Sequence, residues 1–149
     1  MANQNKEILL VEDNPDDVEL TRIAFAEAGS EYVIRVVTDG AEAVDYLLGR
    51  GAHAGRDLTD QPALVLLDLN LPKLNGREVL QAIRESPETR TLPVVVLTTS
   101  AEPMDVGSVY ALGANSYIQK PVEFERFVDV VRQIGLYWLV LNQPPTPPN

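Results

Sequence analysis

The segment LLVEDNPDD, residues 9–17, runs from an apolar stretch straight into four carboxylates: Glu12, Asp13, Asp16 and Asp17. Helix-start rules account for part of this. Asn14 suits an N-cap, Pro15 suits the first helical position, and Asp16 and Asp17 complement the positive end of a helix. Glu12 and Asp13 are left over, at the end of an apolar run where unpaired charge is costly. A third acid, Asp68, follows the apolar run ALVLL, with Asn70 two residues on. Thr98 and Thr99 close VVVLTT, and Lys120–Pro121 follow SYIQ. Three carboxylates brought together repel one another unless a cation or Lys120 compensates them. Hard oxygen ligands suit Mg2+, which keeps several waters and also engages phosphate oxygens. The near acids therefore read as metal ligands and the far ones as helix-start residues.

Such a site needs strands to bring its parts together. Strand candidates lie at 8–11, 32–37, 63–67, 94–98 and 116–119, and ILLV, ALVLL and VVVL are continuously apolar, as parallel strands covered on both faces are. Between them 16–28, 41–48, 77–85 and 104–112 carry apolar residues at helical spacing, and a last helix starts near Val122. This alternation predicts an α/β fold with a parallel sheet and right-handed crossovers. Sheets of this kind bind ligands beyond the carboxyl ends of their strands. Glu12, Asp13, Asp68, Asn70, Thr98, Thr99 and Lys120 all fall there.

Bulk properties narrow the function. The 149 residues, 45% of them apolar, suit one domain, expected over 1–142, followed by a proline-rich tail, 143–149, expected to be disordered. With no cysteine, disulfides and thiolate metal sites are excluded. A net charge of −10 argues against nucleic acid. No apolar run reaches membrane-span length, and MANQNKEI lacks the layout of a signal peptide, so a cytoplasmic protein with no membrane partner is expected.

The residues Glu12-Asp13, LVLLDLNLPKLNG, VVVLTTSA and YIQKP together resemble the receiver domain of bacterial response regulators, over roughly residues 6 to 134. The resemblance implies a flavodoxin-like doubly wound sheet of strand order 2-1-3-4-5 with five helices, the last one long. It implies that Asp68 accepts a phosphoryl group from a sensor histidine kinase. It also implies that Asp13, Asp68 and Asn70 bind Mg2+ directly, with Glu12 acting through water. Lys120, Thr98 and Thr99 would contact the phosphoryl group, and Thr98 and Tyr117 would switch. The Lys120–Pro121 bond is expected to be cis. The protein would be no enzyme in the ordinary sense, only a partner in its own phosphorylation and dephosphorylation. With no second domain in view, output is expected through a partner, an oligomer or a relay.

The ends are distinctive. After FERFVDVVRQI, with Phe124, Phe127, Val128, Val131 and Ile134 on one face, the chain continues LYWLVL, apolar all around. Such a patch marks an interface. Leu136, Tyr137, Trp138, Leu139 and Leu141 are expected to form a homodimer contact, the alternative being that Trp138 and its neighbours fold back on the domain. This end, with the Gly-rich loop 49–62 and the single-domain layout, resembles response regulators paired with bacterial phytochrome kinases. The loop reads as a mobile insertion or, second, a kinase-recognition element. Its His53 is expected to be solvent-exposed and without chemistry.

Other classes fit less well. A haloacid-dehalogenase-like phosphatase needs D-x-D where this chain has EDN, an EF-hand fails at Pro72 and Leu74 of DLNLPKLNG, and no GxxxxGK[ST] occurs. A receiver fold that binds partners without phosphorylation is the remaining rival.

Overall fold

The three continuously apolar runs form the middle of one parallel sheet. The computed structural model describes residues 7–27, 32–99 and 102–143. They comprise β1 (Glu7–Val11), α1 (Pro15–Glu27), β2 (Val33–Val37), α2 (Gly40–Leu48), β3 (Leu64–Leu67), α3 (Gly76–Glu85), β4 (Val94–Thr98), α4 (Pro103–Ala111), β5 (Ser116–Gln119) and α5 (Phe124–Gly135). A 3-10 helix, Gly51–His53, and a π-helix, Leu136–Leu141, complete them. The strand order is β2-β1-β3-β4-β5, all neighbours parallel, as expected for the flavodoxin-like fold. The expected tail lies outside the described residues except for Gln143.

Both faces of the sheet are covered, which is why the central strands carry no polar alternation. Leu9, Val11, Val65, Leu67, Val94 and Val96 pack with Val44, Leu47, Val79, Leu80, Ile83 and Val109 on the side of α2, α3 and α4. Ile8, Leu10, Leu64, Leu66, Val95 and Leu97 pack with Ala24, Phe25, Phe127, Val128, Val131 and Ile134 on the side of α1 and α5.

Two glycines hold the β3–α3 connection over the sheet's end. A Cβ on Gly40 would stand 1.9 Å from the Leu74 carbonyl oxygen, and one on Gly76 would stand 2.5 Å from that of Asp68. Only a hydrogen fits at either place. The connection thus lies close against Asp68.

The 49–62 loop differs from expectation. It is tied to α2 by hydrogen bonds from Arg56 to the Tyr46 carbonyl (2.9 Å) and from the Gln61 amide to the Leu47 carbonyl (3.0 Å). The Arg56 guanidinium lies 4.0 Å from the centre of the Tyr46 ring, a favourable cation–π contact. His53 meets the same ring edge-on and is half-buried rather than solvent-exposed. The loop leads into Ala63, whose N–H donates to the Glu7 carbonyl (2.8 Å) where β1 begins. It therefore sits at the end of the sheet opposite Asp68.

Candidate functional site

Strand pairing carries two acids to adjacent positions. Glu12 N–H donates to the Val37 carbonyl and Asp68 N–H to the Val11 carbonyl, each at 3.1 Å, so the ladders extend one residue past the strands. Glu12 and Asp68 are buried, while Asp13 faces solvent. Carboxylate oxygens of Glu12, Asp13 and Asp68 lie within 4.8 Å of one another. This all-oxygen donor set, open on the Asp13 side, fits a hard divalent cation.

The two oxygens of Asp68 have different surroundings. Oδ1 accepts from Thr98 Oγ1 at 2.9 Å and, at 3.4 Å, from Asn70 N–H. Oδ2 lies 3.7 Å from Lys120 Nζ. Asn70 and Thr99 are exposed at the rim, and the Thr99 carbonyl accepts from the Gln119 amide at 3.2 Å.

The Lys120 side chain is 7% exposed, and its ammonium bonds Glu12 Oε1 at 2.6 Å and Asp17 Oδ2 at 2.9 Å. Burial pushes the Glu12 carboxyl up to about 7; the hydrogen bond from Lys120 opposes this and the charge of Asp68 adds to it. Burial also disfavours the Lys120 charge, but the hydrogen bonds to Glu12 and Asp17 and the nearby carboxylate charges outweigh it and hold its pKa above the ordinary lysine value.

Two sequence expectations are corrected here. The sequence reads Asp17 mainly as a helix-start residue. Its N–H does donate to Asn14 Oδ1 (3.3 Å), as does that of Asp16 (2.9 Å), yet its carboxylate reaches into the site. With Pro15 as first helical residue, Asp17 is the third, and a turn starting over a strand end must aim some residue at that end. Second, no peptide bond among the described residues is cis, so Lys120–Pro121 is trans. Trans is the intrinsically preferred form, by about 0.5–1 kcal/mol before proline. Lys120 points inward without a cis bond, because its N–H donates to the Thr98 carbonyl (2.7 Å) and its ammonium is drawn to three carboxylates.

Tyr117 is half-buried against the cluster shared with α2, α3 and α4. The carboxyl-terminal residues divide. Trp138 and Leu139 pack on the α1–α5 cluster, and the Leu139 carbonyl accepts from the Tyr32 hydroxyl at 3.1 Å. Leu136, Tyr137, Val140 and Leu141 point outward and are 52–69% exposed.

Residues 8–132 match the family model described as the response regulator receiver domain. The probable methanogenesis regulatory protein FilR2 of Methanothrix harundinacea is 45% identical over 141 residues, 94% of this chain and 88% of that protein. Response regulator Rcp1 of Synechocystis is 37% identical over 138 residues, 93% and 92% of the two chains. The crystal structure of the Mn2+-bound form of a response regulator Rcp1 superposes with a TM-score of 0.85 at 36% identity, covering 95% of this chain and 99% of that one. The phosphorylated cyanobacterial phytochrome response regulator RcpA superposes with a TM-score of 0.87 at 39% identity, covering 95% of this chain and 99% of that one.

Proposed function

The chain belongs to the response regulator receiver family, and on that premise we propose that Asp68 is its phosphoacceptor, charged by the phosphohistidine of a sensor histidine kinase. One observation carries the reading. A buried carboxylate at the end of β3 stands between a hydroxyl donor, Thr98, an ammonium, Lys120, and two further acids at the end of β1. In the transfer, the phosphorus–nitrogen bond of phosphohistidine breaks as a bond to an Asp68 oxygen forms, and the imidazole nitrogen left behind takes up a proton. Lys120 and Thr98 then meet the phosphoryl oxygens. Asp13, Asp68 and the Asn70 carbonyl would hold Mg2+, with Glu12 acting through water; the Mn2+-bound form of Rcp1 supports a divalent ion. Bound there, the ion supplies positive charge against the phosphoryl oxygens.

The protein acts in this reading as a signalling phosphoprotein rather than an enzyme with its own substrate. Similarity to RcpA and Rcp1 supports a phytochrome kinase as partner. Thr98 and Tyr117 would pass the change to α4 and β5, and the outward apolar residues of 136–141 would join two copies.

The test is phosphorylation of purified protein by a small acyl phosphate or phosphoramidate with Mg2+, followed by intact mass. A Mg2+-dependent phosphate adduct is expected on wild type, lost in Asp68→Asn and strongly reduced in Asp13→Ala. Light scattering on the same samples reads the dimer. An unmodified wild type under every donor would leave a partner-binding module built on a receiver fold.

A further inference from the structure

Four hydrogen bonds close a ring at one side of the site. Asn14 N–H donates to Glu12 Oε2 (3.2 Å), Lys120 donates to Glu12 Oε1 (2.6 Å) and to Asp17 Oδ2 (2.9 Å), and Asp17 N–H donates to Asn14 Oδ1 (3.3 Å). The ring joins the end of β1, the start of α1 and the end of β5. It holds Lys120 toward α1, with Asp68 at 3.7 Å, outside hydrogen-bond distance. Asp16, the neighbouring acid in the same helical turn, is exposed and outside the ring. Attraction to the helix end explains acids at both positions. It does not explain why the Asp17 carboxylate alone meets the lysine.

We propose that Asp17 is a positioning residue for Lys120, holding its ammonium against α1 in competition with Asp68 and with any phosphoryl group that Asp68 carries. The inference rests on the phosphoacceptor reading above. A buried ammonium facing three carboxylates is shared among them, and here the two on the α1 side take the short contacts. Glu12 also belongs to the acidic set that suits a cation. Once it is so engaged, the contest for Lys120 is between Asp17 and the oxygens on Asp68. Asp17 therefore sets how firmly the lysine grips the phosphoryl group.

Asp17→Asn and Asp16→Asn test this as a matched pair. Both remove one negative charge from the same helical turn, and both keep the backbone N–H that donates to Asn14 Oδ1 at the start of α1. Each variant is titrated with fluoroberyllate, which bonds a carboxylate oxygen and imitates a phosphoryl group, at saturating Mg2+. The Lys120 ammonium is followed by NMR. Asp17→Asn should bind fluoroberyllate about threefold more tightly than Asp16→Asn, the worth of one partly exposed ion pair. The Lys120 resonance should move in Asp17→Asn before fluoroberyllate is added and stay in place in Asp16→Asn. Equal affinities, or weaker binding by Asp17→Asn, overturn the inference. A wild type that neither binds fluoroberyllate nor accepts phosphate defeats the phosphoacceptor reading instead. The resonance then decides alone: unmoved in Asp17→Asn it overturns the holding role, moved it sustains it.

Discussion

The acidic site and the LYWLVL end both hold more of one residue type than a plain secondary-structure element needs. In the site, three acids, Glu12, Asp17 and Asp68, surround the Lys120 ammonium, while a fourth, Asp13, opens to solvent. At the other end, six apolar residues share one π-helical turn, closed by a bond from Asn142 N–H to the Tyr137 carbonyl five residues back. The acids converge because sheet order brings their strand ends together, and a central cation rewards the convergence. The apolar residues diverge, because a turn running around its own axis shows only one side to the domain. Strand-end charge is a collective device. A terminal apolar turn is two surfaces on one backbone.

The comparison breaks most visibly at Lys120. Lys120→Ala leaves the buried Glu12 and Asp68 without their cation and should cost the metal-free protein about 3–5 kcal/mol in urea unfolding, the usual cost of breaking a buried pair. Mg2+ should restore part of it. A loss too small to measure would mean that the acids tolerate one another unaided.

At the carboxyl-terminal turn the contrast should appear between neighbours. Leu139→Ala, on the inward side, should lose about 2 kcal/mol, the low end for a truncated core leucine, because it is only partly buried. Leu141→Ala, on the outward side, should leave stability within about 0.5 kcal/mol and lower the mass seen by light scattering. Equal stability losses would erase the two-surface description.

The electrostatic side is sharpened through pH. Glu12 ionises at about 7 in the fold against an ordinary 4.5. The native state therefore holds a proton that the unfolded chain has released across this window, and stability falls as pH rises through it. Lys120, whose pKa lies above the usual lysine value, keeps its charge throughout. Relative to Glu12→Gln, metal-free wild type should lose on the order of 2 kcal/mol between pH 4.5 and 7.5. A parallel pair of stability curves would show that burial does not govern Glu12.

Much of this was legible in the residues. Continuous apolar runs announced strands covered on both faces, and Asn14-Pro15 marked the start of α1 within a residue. Glu12, Asp68 and Thr98 could be picked out because each directly follows or ends such a run, Asp13 because it stands beside Glu12, and Lys120 because it follows the strand candidate SYIQ. Composition misjudged the 49–62 loop, since its glycines say nothing of the Arg56–Tyr46 stacking that holds it. Asp17 was hidden by a sufficient local explanation. A helix-start acid needs no further role until its carboxylate is seen 2.9 Å from a lysine more than a hundred residues away.

The sequence by itself determined the alternation of elements, the acids at the strand ends and the surplus of apolar residues after Gly135, because these depend on local periodicity and side-chain chemistry. Tertiary structure alone decided which acids share Lys120 and which of the last apolar residues face inward. Those outcomes depend on distances between segments far apart in the chain. No local rule carries such distances; only the packed sheet sets them.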